Sequence, residues 1–363
     1  MNNSQKVYQL GQSIWYDNIQ RKLLENGELA RMIAEGEIYG VTSNPSIFNN
    51  AIANSNDYDA DLLPLLADGR SPFEVFEALA VKDIQAACDL FVELYQSTNG
   101  GDGYVSLEVD PELAHETEAT VVEAKKLWKL VDRPNLMVKI PATLAGIPAV
   151  EQAIAAGVNV NVTLIFSLER YQMVMEAYLA GLEQRIAAGL PVDRIASVAS
   201  FFVSRMDTKV DQLLAEIGTG EAKALMGRSA VANAKLAYQR YLTTFGGERF
   251  AKIKAAGGRV QRPLWASTST KNPAYPETLY VDTLIGADTV NTIPPKTLVA
   301  FLNHGVVADT ILKKIPEQEK IIEALEALGI SVKQVTDELE AEGVAAFARA
   351  FADLLAVIES RKE

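Results

Sequence analysis

A chain of 363 residues with 34 Lys and Arg against 47 Asp and Glu carries a net charge of −13, and such a surface does not grip a phosphate backbone, which needs clustered positive charge. Hydrophobic residues make up 48% and charged residues 22%, enough apolar surface for a large core and too much for a disordered chain. The single cysteine, Cys88, cannot close an internal disulfide, and the two histidines, His115 and His304, fall outside any metal-ligand spacing, which argues against protein-bound zinc and a Ser-His-Asp triad.

The first strand is expected at residues 13–17 (SIWYD), and the residues before it lack the basic start and apolar run of a signal peptide, so a cytoplasmic protein is expected. Further β-rich segments follow at 38–44 (IYGVTSN), 104–109 (YVSLEV), 136–140 (LMVKI), 158–164 (VNVNVTL), 195–201 (IASVASF), 264–267 (LWAS) and 289–292 (TVNT). Stretches between them, such as 111–131 and 168–188, have the composition and spaced apolar residues of amphipathic helices. Strand and helix alternating eight times predict an α/β fold, a closed (β/α)8 TIM barrel with extra helices and a helical C-terminal extension; a doubly wound open sheet is the alternative. No linker rich in Pro, Ser or Gly divides the chain, so one domain over 1–363 is expected, with a helical insertion at about 206–258 and C-terminal helices at about 296–363. Lys209, Lys223, Arg228 and Lys235 of the insertion are expected mostly on solvated helix faces.

The lumen of such a barrel is normally filled by branched apolar side chains, and this chain breaks that rule repeatedly. In 158–164 the valines and Leu164 share one face and Asn159, Asn161 and Thr163 the other. Ser106 and Glu108 alternate with Val105, Leu107 and Val109, and Met137 and Lys139 with Leu136, Val138 and Ile140. Lys139 has two readings: a snorkelling lysine with its ammonium in water, or a desolvated amine able to attack a carbonyl. Glu108 reads as the partner of a buried cation or as a proton-transfer group, and Asp17 as a helix cap or an acid/base. Asp17, Asn44, Glu108, Lys139, Asn161, Thr163, Ser200 and Ser267 converge on the carboxyl ends of the expected strands, where barrel enzymes carry their chemistry.

Four segments resemble a known family. Residues 40–48 (GVTSNPSIF) resemble the T-[ST]-N-P-S segment of the transaldolases, 136–143 (LMVKIPAT) their Schiff-base lysine segment, followed by 161–167 (NVTLIFS), and 200–205 (SFFVSR) their sixth-strand segment. The match runs in order from about Asp17 to Thr292 and is closest to the longer-chain branch of the family. The resemblance implies a class I aldolase barrel that transfers a dihydroxyacetone unit from sedoheptulose 7-phosphate to glyceraldehyde 3-phosphate in the pentose phosphate pathway. It implies a Schiff base on Lys139, proton shuttling by Glu108 with a water held by Thr163, and proton abstraction from the C4 hydroxyl by Asp17. Asn44, Asn161 and Ser200 would hold the dihydroxyacetone hydroxyls; Arg205 and Ser267 would take the distal phosphate, with Lys271 as a further candidate whose spacing departs from the shorter-chain pattern. Neither cofactor nor metal is implied, because the protonated imine is itself the electron sink. The partners implied are small sugar phosphates, neither nucleic acid nor membrane, with a homo-oligomer left open. Fructose-6-phosphate aldolases are similar but lack the glutamate and carry tyrosine at the place of Phe202, so Glu108 and Phe202 favour transfer over cleavage. A non-catalytic sugar-phosphate sensor on the same barrel is the alternative from another class. An acidic chain that binds anionic sugars further needs a local basic focus at the barrel mouth, and Arg205 is the best candidate for it.

Overall fold

The structure, a computed structural model, describes residues 1–362. Seven parallel strands, β1 (Gln12–Tyr16), β2 (Val105–Glu108), β3 (Leu136–Pro141), β4 (Val160–Ile165), β5 (Ser197–Phe202), β6 (Gln261–Ala266) and β7 (Thr289–Ile293), pair in the order β1-β7-β6-β5-β4-β3-β2. Residues 39–42 join the two ends: Tyr39 N donates to Ile14 O (2.8 Å), Val41 N to Tyr104 O (2.9 Å) and Thr42 N to Tyr16 O (2.9 Å), so that Val41 bridges β1 and β2. The expected eighth strand at 38–44 is thus one bridge long. Its shortness has a local cause, because Asn44 accepts from Ile47 N and Pro45 opens the helix Pro45–Ala53, which takes the chain out of the sheet. The close approach of Gly40 to β1 requires glycine: a Cβ there would lie 2.7 Å from the Trp15 indole.

Outward positions such as Val105, Leu107, Leu136, Val138, Ile140, Val160 and Val162 are buried under the surrounding helices. Leu164 departs from the expected pattern. The β4 register shifts between Val162 and Ile165, Leu164 has φ +60°, and its Cδ2 would lie 3.0 Å from a Cβ on Gly343. The bulge therefore turns Leu164 off the valine face and toward the C-terminal helix, while Thr163 keeps its lumen position.

Residues 206–258 form most of the helices Ser204–Ile217, Gly220–Leu225, Ser229–Phe245 and Glu248–Ala255. Lys223 and Arg228 are exposed as expected. Lys209 is half-buried and pairs with Glu338 (2.7 Å) and Glu342 (2.6 Å). Lys235 corrects the expectation outright: it is buried and donates to the carbonyls of Thr310 (2.8 Å) and Lys313 (3.0 Å), acceptors that a loop against the barrel must satisfy.

Three helices, Pro295–His304, Ile315–Ala327 and Val332–Ser360, make up most of the tail. The last begins earlier than its composition suggests because Ser331 caps Gln334 N. It packs on Pro45–Ala53, Pro72–Leu90 and Ser204–Ile217, and so crosses the carboxyl end of the barrel. Gly343, Phe347, Phe351, Leu354 and Ile358 lie along its buried face. The Arg170–Glu340 pair (3.0 and 3.2 Å) and Arg361 on Asp59 (3.1 Å) hold it down. Among the described residues no helix is long and apolar enough to cross a membrane.

Candidate active site

Lys139 and Glu108 are register partners on β3 and β2, so alternation sends both side chains into the lumen. Both side chains are 5% exposed; Lys139 Nζ donates to Glu108 Oε2 (3.2 Å) and to the carbonyl of Ser43 (2.9 Å). The snorkelling reading of Lys139 is therefore excluded by its burial. Glu108 sits above the ordinary carboxylate range because burial penalises its anion, with the Lys139 ammonium pulling the other way. A buried pair of this kind has two states without net charge, ammonium with carboxylate and amine with carboxylic acid, and the second presents a nucleophile.

Asp17 follows β1 directly and caps no helix; the next helix, Arg21–Glu25, has Gln20 at its cap. Its carboxylate accepts from Thr42 Oγ1 (2.6 Å), which also contacts Thr292 Oγ1 (2.6 Å). Burial raises the Asp17 pKa, opposed by the Thr42 hydrogen bond and by the charges of Lys139 and Lys271. Two carboxyl groups thus flank the lysine, each biased toward holding a proton.

Asp17, Asn44, Lys139, Thr163, Ser200, Phe202, Arg205, Ser267 and Lys271 all line one cavity of ≈ 230 Å³. The Thr163 hydroxyl is buried with no partner among the described residues. Asn161 is fully buried, donating to Ser106 Oγ (3.0 Å) and accepting from Ser200 Oγ (2.7 Å), which fixes the orientation of its amide. Asn44 uses its side-chain oxygen to cap Ile47 N (3.0 Å), and its amide N–H groups make no hydrogen bond among the described residues.

Arg205 lies in the first turn of the helix after β5, its guanidinium carbon 5.3 Å from the centre of the Phe202 ring. Arg205 does not pair with the nearby Asp207, which is buried and accepts from Ser229, Ala230 N (2.7 Å) and Tyr280 (2.7 Å). Among the described residues Arg205 makes no hydrogen bond or ion pair, and burial lowers its pKa, opposed by the charge of Glu342. Ser267, at φ +54°, meets Ser204 Oγ at 2.9 Å, and Lys271 is exposed at the rim, donating to Ser269 Oγ (2.7 Å). A guanidinium with free donors beside two serine hydroxyls suits a phosphate.

Sequence reasoning missed four contributors. The Ser43 carbonyl and Thr42 lie inside the T-S-N-P-S segment and were open to reading there. Thr292 shows only the alternation of 289–292. Phe347, whose ring centre is 5.7 Å from Lys139 Nζ, comes from the distant C-terminal helix and has no local signature beyond its place on an apolar face. Among the described residues no three His, Cys, Asp or Glu side chains form a group able to hold a metal.

The family model described as transaldolase/fructose-6-phosphate aldolase matches residues 14–358. The chain is 50% identical over 357 residues to a protein of Streptomyces avermitilis named Transaldolase 1, covering 98% of this chain and 94% of that one. It is 49% identical over 346 residues to the Mycolicibacterium smegmatis Transaldolase (95% and 93% covered) and 49% over 352 residues to that of Thermobifida fusca (97% and 96%). With a lumen lysine, its glutamate partner and a match across nearly its whole length, the chain belongs to the transaldolase/fructose-6-phosphate aldolase family.

Proposed function

We propose that the chain is a transaldolase that moves a dihydroxyacetone unit from sedoheptulose 7-phosphate to glyceraldehyde 3-phosphate, yielding erythrose 4-phosphate and fructose 6-phosphate. The observation that carries this reading is the buried Lys139–Glu108 pair at 3.2 Å, with Lys139 on the wall of a cavity that Asp17 and Arg205 also line. Once Glu108 holds the proton, the Lys139 amine attacks the ketose C2 carbonyl. Glu108, with a water on the unpartnered Thr163 hydroxyl, then protonates the carbinolamine oxygen so that it leaves as water. Asp17 removes the C4 hydroxyl proton, the C3–C4 bond breaks, and its electron pair flows into the iminium to give an enamine. Erythrose 4-phosphate departs, the enamine carbon attacks the aldehyde of glyceraldehyde 3-phosphate, and Asp17 returns its proton. Hydrolysis of the new iminium releases fructose 6-phosphate and restores the amine.

Arg205, with Ser267 beside it, takes the phosphate of each sugar in this reading, and Lys271 adds charge at the rim. Asn44, Asn161 and Ser200 orient the dihydroxyacetone hydroxyls, Asn161 through its fixed amide. The place of the reaction is the pentose phosphate pathway in the cytoplasm. Simple cleavage, as by the aldolase half of the family, is the second reading; Phe202 and the buried Glu108 favour transfer. Borohydride reduction in the presence of fructose 6-phosphate tests the proposal. An adduct on Lys139 with a rate unaffected by chelators is expected; a folded enzyme with no adduct there, or with turnover lost to a chelator and restored by a divalent metal, refutes it. Sugar-phosphate binding without consumption of erythrose 4-phosphate would favour a sensor.

A further inference from the structure

We infer that Phe347 covers the reacting nitrogen and directs the enamine to an aldehyde instead of to water, an inference that rests on the Schiff-base reading of Lys139. The ring centre lies 5.7 Å from Lys139 Nζ, on the wall of the cavity that holds Asp17 and Thr163. Phe347 is 5% exposed although it belongs to a helix outside the barrel repeat. The helix reaches so deep because Gly343, one turn earlier, has no side chain: a Cβ there would meet Leu164 Cδ2 at 3.0 Å. Glycine inside a helix is unfavourable in itself, and the close approach of the helix to the barrel mouth is what it permits here. One turn later Phe351 stacks edgewise on Phe76 (5.2 Å) and Phe73 (6.0 Å), so packing on both sides fixes the position of Phe347. The cover is therefore part of the packed fold, and no loop movement is needed to place it.

Its consequence follows from the two fates of the enamine. In transfer, the enamine carbon bonds to the acceptor aldehyde carbon, whose oxygen takes up a proton. In the leak, the same carbon takes a proton from water, and hydrolysis of the resulting iminium consumes one water and frees dihydroxyacetone and the Lys139 amine. Keeping bulk water from the enamine carbon, while the single water on Thr163 stays available to the carbinolamine steps, suppresses the second fate without slowing the first. An aromatic ring is also a favourable neighbour for the cationic iminium nitrogen.

The test supplies fructose 6-phosphate and erythrose 4-phosphate and measures free dihydroxyacetone released per sedoheptulose 7-phosphate formed, in wild-type protein and in Phe347→Leu, Phe347→Val and Phe347→Ala. Circular dichroism checks the fold of each variant, and borohydride labelling of Lys139 its Schiff base. The leak ratio is expected to rise as the side chain shrinks, by about tenfold or more for alanine and about threefold at most for leucine. A variant that fails to fold is replaced by the next in the series, the leucine variant conserving the most volume. Equal leak ratios in folded, labelled variants overturn the inference while leaving the Schiff base standing. A wild-type protein without label on Lys139 overturns the Schiff-base reading and this inference with it.

Discussion

At the base of the barrel lumen Asp102, 2% exposed, accepts from Ser13 Oγ and Trp15 Nε1 (2.7 Å) with Arg262 at 3.6 Å, whereas at the mouth Glu108 and Lys139 have, among the described residues, only each other and one carbonyl as polar partners. Arg262 also donates to Ser13 Oγ (2.6 Å), Thr289 O (2.7 Å) and Gly101 O (3.1 Å), and Arg259 donates to Asp193 O (2.8 Å), Gly100 O (2.5 Å) and Asn99 O (2.6 Å). The mouth has the opposite character: Arg205 has no partner among the described residues and neither has the Thr163 hydroxyl. Burial raises the carboxyl pKa at both ends, and the base even holds the larger cavity, ≈ 530 Å³ against ≈ 230 Å³. Neither burial, a displaced pKa nor cavity size therefore separates the mouth from the base. What distinguishes them is narrower: among the described residues the base arginines and Asp102 are hydrogen-bonded within the protein, whereas the mouth keeps Arg205 and the Thr163 hydroxyl unpartnered, and in barrels the base is where such residues serve stability.

Substitutions at the two ends should accordingly fail in different ways. Lys139→Met is expected to abolish the borohydride adduct and to lower kcat/KM by at least about 10⁴-fold, with folding retained. Glu108→Gln and Asp17→Asn should each lower turnover by about 10²–10⁴-fold with folding retained. At the base, Asp102→Ala should leave turnover per folded molecule intact and cost about 3–5 kcal/mol in urea unfolding, because Arg262 and the Trp15 N–H lose their anion. The comparison breaks if Asp102→Ala lowers kcat in the folded enzyme or if the two mouth carboxyls prove silent.

Arg205→Ala comes next in size. Loss of charge-assisted hydrogen bonds to phosphate should reduce kcat/KM by about 10- to 100-fold, mainly through KM. The same variant should be nearly normal with unphosphorylated glyceraldehyde as acceptor. Equal losses on both acceptors would assign Arg205 to shaping the cavity instead, through its contact with Phe202.

How much of this was legible before the fold was known depends on how local each signal is. The strands announced themselves through alternation, and Lys139, Glu108, Thr163 and Asn161 stood out because a polar residue in a barrel strand must face something. The stave at 38–44 was overestimated because apolar content does not reveal that Asn44 and Pro45 start a helix. Leu164 was placed on the wrong face because a bulge shifts register without any compositional mark. Lys235 was assigned to solvent because the carbonyls it satisfies lie some 75 residues further along the chain. Phe347 was unreadable for the same reason: its role depends on where a helix from the end of the chain lands, and helical periodicity alone says only that this face is buried.

Acidity offers a further test of the mouth. A base must be ionised, and burial raises the Asp17 pKa, so the acid limb of the kcat/KM profile should lie above the ordinary aspartate value of about 3.9 and change in Asp17→Asn. Stability follows with a definite sign. A carboxyl whose pKa is higher in the folded state binds its proton more tightly there, so its favourable contribution is complete below the unfolded value and is lost as pH rises through the folded one. Asp17→Asn should therefore flatten the fall in unfolding free energy between those two values; an unchanged slope would mean that Asp17 ionises normally.

The smallest effect is expected at Lys271. Its ammonium is exposed at the cavity rim and hydrogen-bonds only to Ser269 (2.7 Å) among the described residues. In a chain of net charge −13 such a group attracts anionic sugars over a distance without fixing their position. Lys271→Ala should then lower kcat/KM by about threefold at low ionic strength and by almost nothing in 0.5 M salt, where exposed charges are screened beyond about 4–5 Å. A loss of tenfold or more that persists in salt would mean direct contact with the bound phosphate, and would move Lys271 from the rim into the same anion site as Arg205.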